Sequence, residues 1–182
     1  MINRTTVLFT LAAFTASIAS QAAMAIGEDN SEPPKKTKTS TECREGQVWD
    51  AKRNRCVDAK RSDLSDDILF DAARELAYAE QYENAIEVLG AMKDQQSARV
   101  LNYLGYANRK AGRTELGMQY YRRALQADEN YILARSYMGQ ALVEQGRMQE
   151  AKLQLVEIRD RGGENTWAYK ALLQSLGGIR QY

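Results

Sequence analysis

A repeat of 34 residues constrains this 182-residue chain more than any other feature. Leu104-Gly105 returns as Met138-Gly139, Gly112-Arg113 as Gly146-Arg147, Gly117 as Ala151 and Tyr121 as Leu155. An earlier copy runs Leu69, Ala72-Ala73, Leu76, then Ala85, Leu89 and Met92, with Ala85 lying 32 residues before Gly117. A period of this size marks one supersecondary unit that cannot bury its apolar face alone, so stacked copies share a core. Within each copy an apolar stripe at i, i+3, i+7 (Leu69, Ala72, Leu76; Leu101, Leu104, Asn108) predicts a helix. Small residues at Ala73, Gly105 and Gly139, answered by Ala85, Gly117 and Ala151, let a second helix approach the first. Between them Gly112 and Gly146 provide the left-handed stop that glycine takes at least cost.

Caps and turns place seven helices near 66–80, 84–92, 97–111, 114–127, 131–145, 148–160 and 165–176. Ser65 reads as the first N-cap, with Asp66 and Asp67 suiting the positive end of the helix dipole. The last helix starts at Asn165 or Thr166 and stops at Gly177-Gly178. Its apolar face (Trp167, Leu172, Leu173, Leu176) is expected to cover the open end of the stack, since a bare terminal repeat exposes a core-like surface.

A 34-residue helix-turn-helix with this order of Leu-Gly, small, aromatic and Ala resembles the tetratricopeptide repeat (TPR). The middle copy carries the resemblance best, through Leu101, Leu104-Gly105, Gly117, Tyr121 and Ala124, and the likeness covers about residues 66–160. It departs from the family where Glu129 replaces the usual Pro, where Asn108 replaces an aromatic, and where the first copy lacks Leu-Gly. The resemblance implies an all-α superhelical array of about three repeats plus a C-terminal capping helix, over residues 65–177. It also implies that the first helix of each pair lines a concave groove holding a protein or peptide.

Helical spacing gives the residues on that face. They are Phe70, Asp71, Arg74 and Tyr78; then Asn102, Tyr103, Tyr106, Arg109 and Lys110; then Ser136, Tyr137, Gln140 and Glu144. Tyrosines offer contact area at low side-chain entropy cost, and Asn102 and Gln140 can each pair with both backbone groups of an extended guest. The binding set drawn from them is Tyr78, Asn102, Tyr103, Tyr106, Arg109, Lys110, Tyr137 and Gln140. The alternative is that the tyrosines pack between helices and that Arg109 and Lys110 are simply solvated. The basic residues are too few on successive first helices for the carboxylate-clamp subclass.

Residues 1–25 carry one charge, Arg4, then an apolar run from Val7 to Ile18 and small residues ending Ala23-Met24-Ala25. This is the layout of a secretory signal peptide, with cleavage expected before Ile26. A retained anchor is the alternative, but the run falls short of the ~20 apolar residues a spanning helix needs. No Cys follows the small residues, so a lipid anchor has no attachment point. Export to the periplasm is expected, or release outside the cell, with no membrane span left after cleavage. Residues 26–41, including Pro33 and Pro34, are polar and read as a flexible linker. Residues 42–58 hold both cysteines of the chain, Cys43 and Cys56, and export makes a disulfide between them the expected state. Gln47–Asp50 and Arg55–Val57 are expected to pair around a turn at 52–54, with Trp49 against the disulfide. The Cys, Gly, apolar-aromatic pair and second Cys resemble a small invertebrate-type chitin-binding module, whose further cysteines are missing here. Glycan binding through Trp49 is therefore the lesser reading, and the preferred one is a stapled, peripheral N-terminal decoration.

Composition excludes more than it assigns. Without His there is no Ser-His-Asp triad, Cys-His dyad or imidazole base, and no G-x-S-x-G, G-x-G-x-x-G or G-K-[ST] occurs. No cofactor, metal site or catalytic residue is expected. The 25 basic and 24 acidic residues nearly balance, and loss of Arg4 equalises them, which argues against phosphate-driven nucleic-acid binding. The expected function is an exported adaptor that holds an extended segment of a cell-envelope partner. The competing reading is an assembly factor that self-associates through Trp167 and Leu173.

Overall fold

In a computed structural model residues 34–177 are described; the expected signal peptide, and the linker up to residue 33, lie outside them. The described residues form eight α-helices and one two-stranded hairpin. The order is α1 (Lys38–Thr41), β1 (Gln47–Asp50), β2 (Arg55–Asp58), a 3-10 turn (Ala59–Arg61), α2 (Asp66–Tyr78), α3 (Tyr82–Leu89), α4 (Ala98–Lys110), α5 (Thr114–Ala127), α6 (Ile132–Glu144), α7 (Met148–Asp160) and α8 (Trp167–Ser175). Helices α2/α3, α4/α5 and α6/α7 are the three hairpins that the repeat predicted, and α8 follows as a lone first helix.

The caps act as the residue types imply. Ser65 accepts from Ile68 N–H and Thr166 from Tyr169 N–H. Gly112 and Gly146 adopt φ of +87° and +73° at the turns inside the second and third hairpins. In the first hairpin Glu80 takes the same left-handed conformation, φ +64°, without glycine's freedom. Asn108, which stands where an aromatic was anticipated, ties down the end of α4 instead. Its Nδ2 donates to Leu104 O (2.8 Å) and its Oδ1 accepts from Arg113 Nε (2.7 Å).

The small-residue positions are contact points. The α4/α5 pair is the most extensive of the helix pairs. A Cβ on Gly105 would lie 2.6 Å from the Tyr121 ring, and one on Gly117 would lie 2.8 Å from Gly105 O and 3.0 Å from Arg109 Cβ. Helix backbones fix the neighbours of Gly117, so Gly117→Ala is expected to lower stability by about 1–3 kcal/mol through overpacking. A urea midpoint that drops at unchanged slope is the expected reading; an unmoved midpoint would show that the pair can separate at no cost.

Two expectations for the N-terminal part need correction. The stretch 26–41 is not flexible to its end: Thr37 caps α1, and this turn is docked on α2. Glu75, 5% exposed, accepts from Thr37 N–H (2.7 Å), Thr37 Oγ1 (2.7 Å) and Ser40 N–H (3.1 Å). A carboxylate taking several N–H and O–H donors is well satisfied despite burial. Nor is the cysteine loop a peripheral attachment. Cys43 and Cys56 are disulfide-bonded, and β1 and β2 pair antiparallel with Trp49 opposite Cys56, as anticipated. But Val48 (1% exposed) and Ala59 (3%) belong to the same buried core as the helices. Gly46 N–H donates to Asn84 Oδ1 (2.9 Å), and Lys60 pairs with Glu87 (2.9 Å), both on α3. The hairpin thus closes the first end of the array.

Candidate partner-binding face

The first helices α2, α4 and α6 follow one another along the array, and the eight expected binding residues lie on them at three levels of exposure. Asn102, Tyr103, Tyr137 and Arg109 are buried, Tyr78, Tyr106 and Gln140 are half-buried, and Lys110 is exposed. Burial rises from Lys110 through Tyr106 to Asn102, one turn at a time along α4.

The tyrosines form one connected aromatic cluster. Tyr78 stacks on Tyr106 (centroids 6.0 Å, planes 20° apart), and Tyr106 lies 5.0 Å from Tyr137. Tyr137 also meets Tyr103 edge-on (6.3 Å), Tyr121 at 6.4 Å and Trp167 edge-on at 6.0 Å. Phe70 extends the cluster through Tyr103 (5.3 Å). Such offset and edge-on pairs are favourable beyond the area they bury. Tyr103 and Tyr137 are therefore packing residues first, as the alternative in the sequence had it. Their hydroxyls are engaged: Arg74 Nε donates to Tyr103 Oη (3.0 Å), and the Tyr78 and Tyr137 hydroxyls share a 3.3 Å bond. Burial pushes the Tyr106 phenol up to about 12 and Tyr137 well above its ordinary value, so both stay neutral.

Arg109 is not solvated. Its Nε donates to Tyr121 Oη (3.3 Å), its Nη1 pairs with Glu144 of α6, and its guanidinium sits 5.8 Å from the Tyr106 ring centre. Burial opposes its charge, yet Tyr121 and Glu144 together raise its pKa. Ser136 is covered by α8, donating to Ala168 O (2.7 Å) and accepting from Gln140 Nε2 (3.2 Å). Only Asp71 among the other expected face residues of α2 is exposed. The Arg109–Glu144 bridge was not foreseen, although both residues stood on the expected face. Its signal is their shared orientation on consecutive first helices.

Asn102 differs from its neighbours. It is 0% exposed, and neither its Nδ2 nor its Oδ1 has a hydrogen-bond partner. An unmet buried amide costs roughly 1–3 kcal/mol, so folding leaves a donor and an acceptor side by side on this face without repayment.

Neither tryptophan of the competing readings stands free. Lys38 Nζ lies 4.3 Å over the Trp49 ring, on the surface a sugar would stack against. Trp167 packs edge-on against Tyr137 of α6, Leu172 and Leu176 are buried and Leu173 is half-buried, so this face lies on the last hairpin as expected. Among the described residues, no helix is long and apolar enough to cross a membrane, and no three His, Cys, Asp or Glu side chains gather as metal ligands.

The family model described as tetratricopeptide repeat matches residues 108–176, from the end of α4 through α8. No curated protein and no solved structure matches the chain significantly.

Proposed function

The chain belongs to the tetratricopeptide repeat family through residues 108–176, with a two-cysteine element in front of its repeats, and from that premise we propose that it is an exported, non-catalytic adaptor. Its inner face holds an extended segment of a cell-envelope partner. The observation that carries this reading is the unmet amide of Asn102, beside the half-buried Tyr78, Tyr106 and Gln140. Asn102 is covered, so a guest reaches it only by displacing the side chains above it; there its amide can give one bond and take one from the same peptide unit, which matches the two groups left unpaired. Tyr106 and Tyr78 supply rigid contact area with hydroxyls at its edge, and Lys110 sets a positive charge at the exposed end of the face. Export rests on the signal-like first 25 residues and on a disulfide that an oxidising compartment keeps intact.

The test uses a photo-crosslinker in place of Lys110 in cells, with Asn102→Leu as the decisive variant. Exchanging an unsatisfied amide for an apolar group of similar size is neutral or stabilising for the fold. Asn102→Leu is therefore expected to keep or raise the urea midpoint while cutting capture of one envelope protein about ten-fold, the equivalent of about 1.4 kcal/mol. The chain that carries the crosslinker should itself be recovered from the periplasmic fraction and begin at Ile26. Unchanged capture in a well-folded Asn102→Leu protein would remove the inner face from the proposal.

A further inference from the structure

The far end of the array departs from its own pattern. Toward the preceding hairpin, α4 packs more on the second helix α3 than on the first helix α2, and α6 more on α5 than on α4. Helix α8 instead sits chiefly against α6, with less contact to α7. The sequence reason is Gly139: Leu172 of α8 comes so near that a Cβ there would lie 2.6 Å from it, drawing α8 toward α6. One flank of α7 is left uncovered, and a cavity of about 280 Å³ opens between α7 and α8. Leu155, Val156, Tyr169 and Leu173 wall it, and the exposed Lys152 and Arg159 border it. Apolar surface continues along α7 to Leu153, 61% exposed and one turn from Val156. The cavity is smaller than a usual small-molecule pocket of about 300–1,000 Å³, and suits inserted side chains. No described carboxylate lines it, Lys170 is the one charge on α8, and Arg159 is met by its exposed neighbour Asp160 at 3.0 Å.

We propose that the α7/α8 flank is a second docking surface, taking an amphipathic helix of a partner protein with carboxylates beside its apolar stripe. Two observations select this occupant over others. Every other α7-like helix in the array is covered by a helix on this side, so the flank continues an interface the fold already uses. The cations at its border favour acidic flanks on the incoming helix, and charge complementarity of this kind selects partner and register. The proposal is independent of the inner face, which lies on other residues of α2, α4 and α6.

Fluorescence anisotropy of the full, disulfide-intact chain with two labelled synthetic helices tests it. Both peptides carry Leu at i, i+3 and i+7; one has Glu and the other Lys at the flanking positions. The Glu peptide is expected to bind at least about ten-fold more tightly at low salt. Lys152→Glu/Arg159→Glu should abolish that preference, and Val156→Asp should weaken binding about ten-fold. Equal binding of both peptides, or a preference that survives the charge reversal, overturns the proposal. So does a ten-fold gain on deleting residues 178–182, which would make the chain's own end the occupant. A concentration-dependent dimer in sedimentation that Val156→Asp dissolves would assign the flank to a second copy and overturn it equally. Should Val156→Asp fail to fold, the charge-reversed variant, altered only at exposed positions, decides alone.

Discussion

Tyr137→Ala is expected to lower unfolding free energy by about 3–5 kcal/mol, the range for truncating a buried aromatic side chain. Tyr137 is 1% exposed and touches four other rings, Tyr103, Tyr106, Tyr121 and Trp167, contributed by α4, α5 and α8. Removing its ring thus opens a cavity where the second repeat, the third repeat and the last helix meet. Stacked repeats are held together by their neighbour interfaces, so a loss at this junction should also weaken the coupling between repeats. Tyr137→Phe separates the ring from its hydroxyl. The hydroxyl's partner is the half-buried Tyr78 hydroxyl at 3.3 Å, which can turn to water, so about 1 kcal/mol is expected there. Urea unfolding followed by circular dichroism measures both. A Tyr137→Ala loss below about 2 kcal/mol would mean the neighbouring rings collapse into the space, and that the cluster is less rigid than its contacts imply. A lowered slope in the same variant would report repeats unfolding one by one.

The fold was legible because the repeat is written in residues whose size is dictated by contact. Gly105, Gly117 and Ala151 mark helix crossings where little else fits, and Gly112 and Gly146 mark left-handed turns. The first hairpin was harder to read for a matching reason: Glu80 takes the turn that glycine takes later, so no glycine announces it. The N-terminal segment was misjudged because its order comes from elsewhere. Thr37 and Ser40 look like linker residues, and only Glu75, 35 or more positions away, turns their donors into anchors. The depth of the candidate face was not legible in the sequence. Helical spacing gives the direction of Tyr103, Tyr137 and Arg109, but burial on a shared face depends on how closely successive first helices approach. Contacts between helices, such as the Arg109–Glu144 bridge from α4 to α6, bear on that distance, and they do not follow from a single helix.

The cysteine pair offers the other large effect, and it separates the two parts of the molecule. Replacing Cys43 and Cys56 together by Ser is expected to destabilise the docked hairpin by about 3 kcal/mol, from the freedom regained by a loop of this length in the unfolded chain. What remains to hold the hairpin is four residues per strand, Val48 in the core, and bonds such as Gly46 to Asn84 and Lys60 to Glu87. An isolated two-stranded hairpin is marginal at best, so it should leave the array well before the helices unfold. The chain's two tryptophans make this visible, since Trp49 sits in β1 and Trp167 in α8. In a Trp167→Phe background, Trp49 fluorescence should change at much lower urea once the cysteines are gone. In a Trp49→Phe background, Trp167 should report a midpoint almost unmoved, because it lies at the other end of the array and distant sites act nearly independently. Undocking would also free Glu75 from Thr37 and Ser40 and let it reach water, which limits the cost passed on to α2. If both tryptophans instead shift together, the hairpin is a required part of one cooperative unit, and the disulfide supports the whole array.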